Sequence, residues 1–467
     1  MTEILKWSAV ETVAHLKARD VSAREVTEAH LARIDAVNPS LNAIVDDVPD
    51  AIDRAKAIDA GKIDPGILHG APVTTKINTD QKGLVNTNGL PAMKHNVAPD
   101  DAAVVRNLHA AGAVVVGRTN TPEMSLRWCT SNPLHGITLN PWDDTVTPGG
   151  SSGGASAALA AGIGVIAHGN DLGGSVRYPA YCCGLVGLRP SRGRIANYNP
   201  SVPGGRAPMT AAMAVQGPLG RSVADVRLGL EAMRGFAAED PAWTAASGNG
   251  RLKTGRIGVA TDFYEDAQHP TVRDAMERAA QAAKSSGCDI MPVKLPDTDR
   301  ISELWGQLLF TETEVLSKAD IETYGSADLQ RWLETFTTQF GLLDLAGYMN
   351  AIAERSVLQR RWARMFETID AVIMPTSLSP PFENDFEFKH PGRAHEFIDA
   401  QKPLYIVNFL GLPSVALPTH VAEGLPSGVQ IVAPMHDDDA VLILAELIQG
   451  ELGSILGHLQ DPYRMVS

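Results

Sequence analysis

The sequence predicts an α/β fold, a β-sheet packed under helices, and three observations predict it. Short apolar runs such as "APVTTKI" and "AVVVGRTN" alternate with "DAAVVRNLHAAGA", whose apolar residues recur at helical spacing. Farther along, the strand-like "RIGVA" precedes the helical "TVRDAMERAAQAAKSSG". Near the end, "IDAVIMPT", "PSVALPT" and "SGVQIVAP" read as buried strands, and "DDDAVLILAELIQ" as a closing helix. Alternation of this kind is the signature of helices laid on a sheet.

Taken in order, the stretch from Ser8 to Ala60 reads as a helical N-terminal layer. Within it "SAREVTEAHLARIDAVNP" opens on a Ser N-cap with Glu three residues later, and brings Val26, Ala29, Leu31 and Ile34 near one face. The proline predicts an end before Pro39. "ASAALAAG" (Ala155 to Gly162) is a helix of small residues able to pack closely, and the strand-like "IGVIAHG" follows it. A composition shift over Trp243 to Gly255 marks a surface connection, and Ile301 to Phe366 is mainly helical. No repeat or low-complexity tract interrupts the chain, so 1–467 is expected to form one domain. Its parts are a helical layer at 1–60, a core at 65–235, a helical insertion at 300–365, and closing strands and helix at 366–467.

The chain of 467 residues is 44% hydrophobic and 20% charged, a composition that folds. A formal net charge of -14 disfavours nucleic acid and anionic membrane as partners, because both require a basic footprint. Cys129, Cys182, Cys183 and Cys288 offer no metal spacing, so reduced thiols and no metal are expected. The N-terminal residues lack the pattern of a signal peptide, and no run of about eighteen apolar residues occurs. A cytoplasmic location is the resulting expectation.

Two glycine-rich stretches carry the chemistry: "TPGGSSGG" (Thr147 to Gly154) and "GNDLGGSVRYPA" (Gly169 to Ala180). A phosphate-binding P-loop needs Lys and then Ser or Thr after its last glycine, whereas Ala155 and Ser156 follow Gly154. "GGSSG" formally matches the GxSxG elbow, but that elbow must follow a buried strand and here follows the loop-like "NPWDDTVTP". No lysine has a serine three residues before it, which removes an SxxK pair. An acyl-transfer site remains. The N–H groups of Leu172, Gly173 and Gly174 would converge beside Ser175 as an oxyanion hole, and Lys76 in an apolar strand would serve as a base of lowered pKa.

These residues resemble the amidase signature hydrolases. The resemblance rests on "GGSSGG", "ASAALAAGIG" and "GGSVRYPAYCCGLVGLRPSRGRI", and extends through "LHGAPVTTKINTDQKG", "VVVGRTNTPEMS" and "AVQGPLGRSVADV" to "NFLGLPSVALPTHVAEGLPSGVQIVAP". Only about 240 to 365 is weakly matched. The resemblance implies a mixed central sheet covered by helices on both faces, with the catalytic signature core at 65–235. It also implies a Ser-cisSer-Lys triad in which Ser175 is the nucleophile, Ser151 the bridge with a cis peptide bond, and Lys76 the base. No cofactor is implied. The expected substrates are small apolar or aryl amides, with carbamates and some esters open to the same acyl-enzyme chemistry, and the expected assembly is a monomer or homodimer. Two alternatives stay open: a glutamine-hydrolysing amidase component of a tRNA amidotransferase, and a catalytically silent ligand-binding member of the fold. The chain departs from the family pattern at Ile77, where Asp is frequent, and at Asn170, within "GND" in place of "GTD".

Around the triad, Ser152 is expected to bind nearby backbone, and Asp171 with Arg177 to form a buried pair that holds the nucleophile loop. His168 is expected in the core and not as a base. Met124, Trp128, Met209 and Met213 are candidates for an acyl pocket. The Pro/Gly-rich Asn197 to Met213 is a candidate lid.

Overall fold

The computed structural model describes residues 3–202, 205–246, 248, 250–260 and 263–459, and in it the apolar runs join one mixed sheet. In chain order its strands are β1 (Ile44–Asp46), β2 (Pro72–Lys76) and β3 (Val114–Thr119). The short hairpin strands β4 (Ser131–Asn132) and β5 (Gly136–Ile137), which pair apart from the sheet, come next, followed by β6 (Ile166–Asp171), β7 (Val186–Arg189) and β8 (Val215–Gly220). Then come β9 (Arg256–Val259), β10 (Asp289–Pro292), β11 (Ala371–Pro375), β12 (Ser414–Ala422) and β13 (Leu425–Val432). The spatial order is β1-β3-β2-β6-β8-β7-β12-β13-β11-β9-β10. Strands β3, β2 and β6 run parallel, β6 to β11 alternate antiparallel, and β11, β9 and β10 are parallel again.

Strand periodicity divides the core into two layers. Ala371, Ile373, Val415, Leu417, Val429 and Ile431 face one layer, with Val26, Leu108, Val226, Ala279 and Leu444 from the helices there. Val372, Met374, Ala416 and Val432 face the other, with Leu159, Tyr178, Phe310, Phe336 and Tyr405. Helices Thr298–Leu316, Lys318–Tyr324, Ala327–Phe340 and Leu345–Met365 lie between β10 and β11 in the chain and contribute aromatic rings to the second layer. No helix among the described residues is long and apolar enough to cross a membrane. The four cysteines are buried and free.

Three boundaries differ from expectation. Helix Ala23–Leu41 runs through Pro39, because that proline removes one donor in the last turn while the Asn38 side chain accepts from the N–H groups of Ala43 and Ile44, both at 2.8 Å. Leu31 is only half-buried on this helix, and His30 and Arg33 share its inner face. The N-terminal layer is not wholly helical: β1 pairs antiparallel with β3 at the sheet edge. Strand β6 starts at Ile166 and reaches Asp171, since Gly164 turns at a φ of +70° first. Of the expected surface connection at 243–255, Ser247 and Asn249 lie outside the described residues.

Lys76 ends β2 and Asp171 ends the neighbouring parallel β6, so both emerge at one end of the sheet. That is where α/β sheets place ligand chemistry. The Asp171 carboxylate is fully buried and saturated with donors: Arg177 Nε to Oδ2 and Nη2 to Oδ1, each 3.0 Å, Asn408 Nδ2 to Oδ1 at 2.8 Å, and Gly174 N to Oδ1 at 2.9 Å. Burial alone would raise its pKa, but the charge and hydrogen bonds of Arg177, with Arg189 and Asn408, outweigh that and hold it well below the usual carboxylate range. Removing one member of a buried pair strands the other charge. Asp171→Ala should therefore lower unfolding stability by about 3–5 kcal/mol, read by denaturant titration. For the native protein, the stability supplied by Asp171 should be complete above the unfolded carboxylate pKa of about 4 and fall away only at lower pH.

Candidate active site

Lys76 has no solvent exposure, and its Nζ donates to Ser151 Oγ at 2.7 Å, Asn170 Oδ1 at 2.8 Å and Ser152 Oγ at 3.2 Å. Burial drives its pKa well below the ordinary 10.5; Asp171 pulls it up, and the Arg206 guanidinium pushes it down. Ser151 and Ser152 sit at the entry to helix Gly153–Ala160, all of whose residues are buried and all but one of which are small. The Gly150–Ser151 peptide bond is cis. Thr121 Oγ1 donates to the Ser151 carbonyl at 2.9 Å, which ties this loop to the end of β3.

Ser175 lies on the loop between β6 and helix Arg177–Cys183, joined to the first loop where Ser152 N–H donates to the Ser175 carbonyl at 3.2 Å. Its Oγ makes no hydrogen bond to another described residue. The structure thus brings Lys76, Ser151 and Ser152 into contact and sets Ser175 on the adjoining loop. Gly174 has a φ of +100°, and a Cβ there would lie 2.5 Å from Leu404 Cδ1, so the sharp turn requires glycine.

The expected donor set needs one correction. The Gly174 N–H is committed to Asp171 and does not converge with the others, because the loop wraps around the carboxylate, which also accepts from Val176 N at 3.2 Å. The N–H groups of Leu172 and Gly173 have no hydrogen-bond acceptor among the described residues. His168 is buried, bonds Gln216 through Nε2 at 2.8 Å, and has its pKa pushed down to about 4 by burial. It is a core residue.

Of the pocket candidates, Trp128 is buried with its Nε1 donating to the Gly173 carbonyl at 2.7 Å. Met209 and Met213 are buried on the short helix Pro208–Met213, whose first N–H groups are held by the Glu312 carboxylate: Met209 N at 2.6 Å and Thr210 N at 2.8 Å. Met124 is half-buried against the same apolar layer. The candidate lid is anchored at Asn199, whose Nδ2 donates to the Asn78 carbonyl at 2.9 Å; Pro203 and Gly204 lie outside the described residues.

Two features escaped the sequence reading. Asn78 and Asn170 exchange amide hydrogen bonds, Asn170 Nδ2 donating to Asn78 Oδ1 at 2.9 Å, which turns Asn170 Oδ1 toward Lys76. Asn78 stands in the turn that follows β2, closed by the Thr79 N–H on the Lys76 carbonyl at 3.0 Å, so strand periodicity gives no signal for it. Trp305, from helix Thr298–Leu316, reaches the loop that carries Ser175, with Nε1 3.4 Å from the Leu172 carbonyl. No periodicity distinguishes it from a core tryptophan. Among the described residues, no three His, Cys, Asp or Glu side chains gather to hold a metal ion.

The Amidase family model matches residues 25–442. An indoleacetamide hydrolase of Bradyrhizobium diazoefficiens is 42% identical over 462 residues, covering 97% of this chain and 88% of that one. One component of the glutamyl-tRNA(Gln) amidotransferase of Alkalilimnicola ehrlichii is 31% identical over 472 residues, covering 93% and 95%. Among solved structures, 6-aminohexanoate cyclic dimer hydrolase complexed with substrate has a TM-score of 0.82 at 27% identity, covering 98% of this chain and 100% of that chain. With a family match across most of its length and relatives that hydrolyse amides, this chain belongs to the amidase signature family and is an amide-hydrolysing enzyme.

Proposed function

We propose that this enzyme hydrolyses small aryl-substituted amides through an acyl-enzyme formed on Ser175, with Ser151 as proton bridge and Lys76 as base. The observation that carries the reading is the buried Lys76 Nζ 2.7 Å from Ser151 Oγ, beside the loop that bears Ser175. A neutral amine has two N–H bonds and one lone pair. Asn170 Oδ1 can only accept, so it takes one N–H, and Ser152 Oγ can take the other. The lone pair is then left for the Ser151 proton. Deprotonated in this way, Ser151 removes the Ser175 proton as Ser175 Oγ attacks the substrate carbonyl.

The negative charge that develops on the carbonyl oxygen is met by the N–H groups of Leu172 and Gly173, joined by that of Ser175 itself. As the C–N bond breaks, Ser151 returns a proton to the leaving nitrogen and Lys76 restores that of Ser151. Water then attacks the Ser175 ester, giving the carboxylic acid and free serine. The aryl preference is supported by the ring cluster around Trp128 and by the indoleacetamide hydrolase relative, which is more similar than the amidotransferase components.

A hydrolysis screen over indole-3-acetamide, anilides, aryl carbamates, aliphatic amides and glutamine tests the substrate class. Turnover of the aryl amides well above glutamine is expected, and glutamine as the preferred substrate would replace this reading with the amidotransferase one.

Ser175→Ala should abolish the mass adduct formed with a fluorophosphonate. Lys76→Met keeps the buried stem without the amine, and should suppress acylation yet hold or raise Tm by a few degrees, because the fold no longer carries a desolvated amine. Full activity in either variant would exclude the assigned role. Below the pKa of Lys76 the base is protonated, so kcat/KM should fall tenfold per pH unit on acidification and level off above it. The midpoint should lie well below 10.5. A midpoint at or above 10.5 would remove Lys76 as the base.

A further inference from the structure

Two indole rings grip the backbone of the nucleophile loop from one side. Trp128 Nε1 donates to the Gly173 carbonyl at 2.7 Å, and Trp305 Nε1 to the Leu172 carbonyl at 3.4 Å. The rings belong to one stacked array: their centroids are 6.3 Å apart, and Tyr405 lies 4.4 Å from Trp305 at an interplanar angle of 14°. The contact is close, since a Cβ on Gly173 would lie 2.9 Å from Trp305 Cζ2. Both tryptophans are nearly buried, so neither indole N–H has water as an easy alternative partner.

In a trans peptide unit the carbonyl and the following N–H point to opposite sides. One of the two units displays this directly: the Gly173 carbonyl faces Trp128 while the Gly174 N–H faces Asp171 Oδ1 at 2.9 Å. The preceding unit has its Leu172 carbonyl turned to Trp305, and its Gly173 N–H is therefore turned away from the ring, with no protein acceptor among the described residues. A glycine pair has few steric preferences of its own, and an unrestrained peptide plane here could rotate and withdraw that donor.

We propose that Trp128 and Trp305 are positioning residues that fix the two peptide planes and so aim the Gly173 N–H at the carbonyl oxygen under attack. This rests on Ser175 being the nucleophile. It gives the helical segment containing Trp305 a part in transition-state stabilisation, although that segment contributes none of the three triad residues. Neither indole touches the reacting atoms in this scheme, so both act through backbone.

The test compares wild type with Trp128→Phe, Trp305→Phe and, at each site, β-(3-benzothienyl)alanine, which keeps the bicyclic ring and lacks the N–H. Each is assayed for kcat and KM on indole-3-acetamide, for melting temperature, and for binding of two indolyl ligands: an aldehyde, which forms a tetrahedral oxyanion adduct, and the carboxylic acid product, which does not. Loss of one oxyanion donor costs roughly 100- to 1,000-fold in kcat, so loosening it should cost about 10- to 100-fold. With the benzothienyl replacements, which keep the ring face, KM and product affinity should change less than about threefold, with aldehyde affinity falling in step with kcat. The benzothienyl replacement should reproduce this loss at unchanged Tm. Wild-type kcat with that replacement at both sites would overturn the proposal, as would aldehyde and product affinities falling together, which would mark the rings as pocket lining alone. Failure of the underlying reading is distinguishable: wild-type protein would then form no fluorophosphonate adduct at Ser175.

Discussion

The architecture of the site depends on one buried carboxylate. Asp171 ends β6 in a place water does not reach, and a carboxylate there is tolerable only when its lone pairs are filled. The filling comes from two directions. Arg177 and Asn408 supply side-chain donors from two helices, and the backbone of Gly174, Val176 and Arg177 supplies the rest. Because two of its donors belong to the loop carrying Ser175, satisfying the charge and shaping the loop are the same event. The network continues outward, with Arg189 donating to the Asp171 carbonyl and to that of Met213 at 3.0 and 2.8 Å.

Lys76, at the end of the next strand, receives the opposite treatment. It is as deeply buried as Asp171, yet among the described residues its Nζ meets no carboxylate within hydrogen-bonding distance and bonds two hydroxyls and an amide oxygen. Asp171 is near enough to moderate the shift, and Arg206 works against it. Two ionisable groups on adjacent parallel strands thus both have their pKa values lowered, which keeps the carboxylate charged and disfavours the charge on the amine. That division of labour arises from where each strand ends.

Much of this arrangement was legible in the sequence, and what was legible shares a physical basis. Strands such as "APVTTKI" and "AVVVGRTN" are buried on both faces, so they open on apolar residues without period-two alternation, and the glycines and serines of the two loops stand out because few other residues fit such backbone. Where the reading missed, the deciding contact was a specific side-chain partner that neither periodicity nor residue type displays. The helix carrying Pro39 continued because Asn38 could serve the N–H groups beyond it. Gly174 lost its expected role to a carboxylate three residues back, and the direction of an N–H is invisible to residue type. Trp305 reaches Leu172 across 133 residues of chain.

The helices from Thr298 to Met365 join β10, at the outer edge of the sheet, to β11, two strands inward, while Lys76 and Asn170 stand on β2 and β6 near the opposite edge. Both ends of that helical block are thus anchored away from Lys76 and Asn170, while Trp305 from its first helix reaches the Leu172 carbonyl. Such a layout is modular. A lineage could exchange or remodel the block, altering which molecules are accepted, without changing the strand register that fixes the amine and the carboxylate.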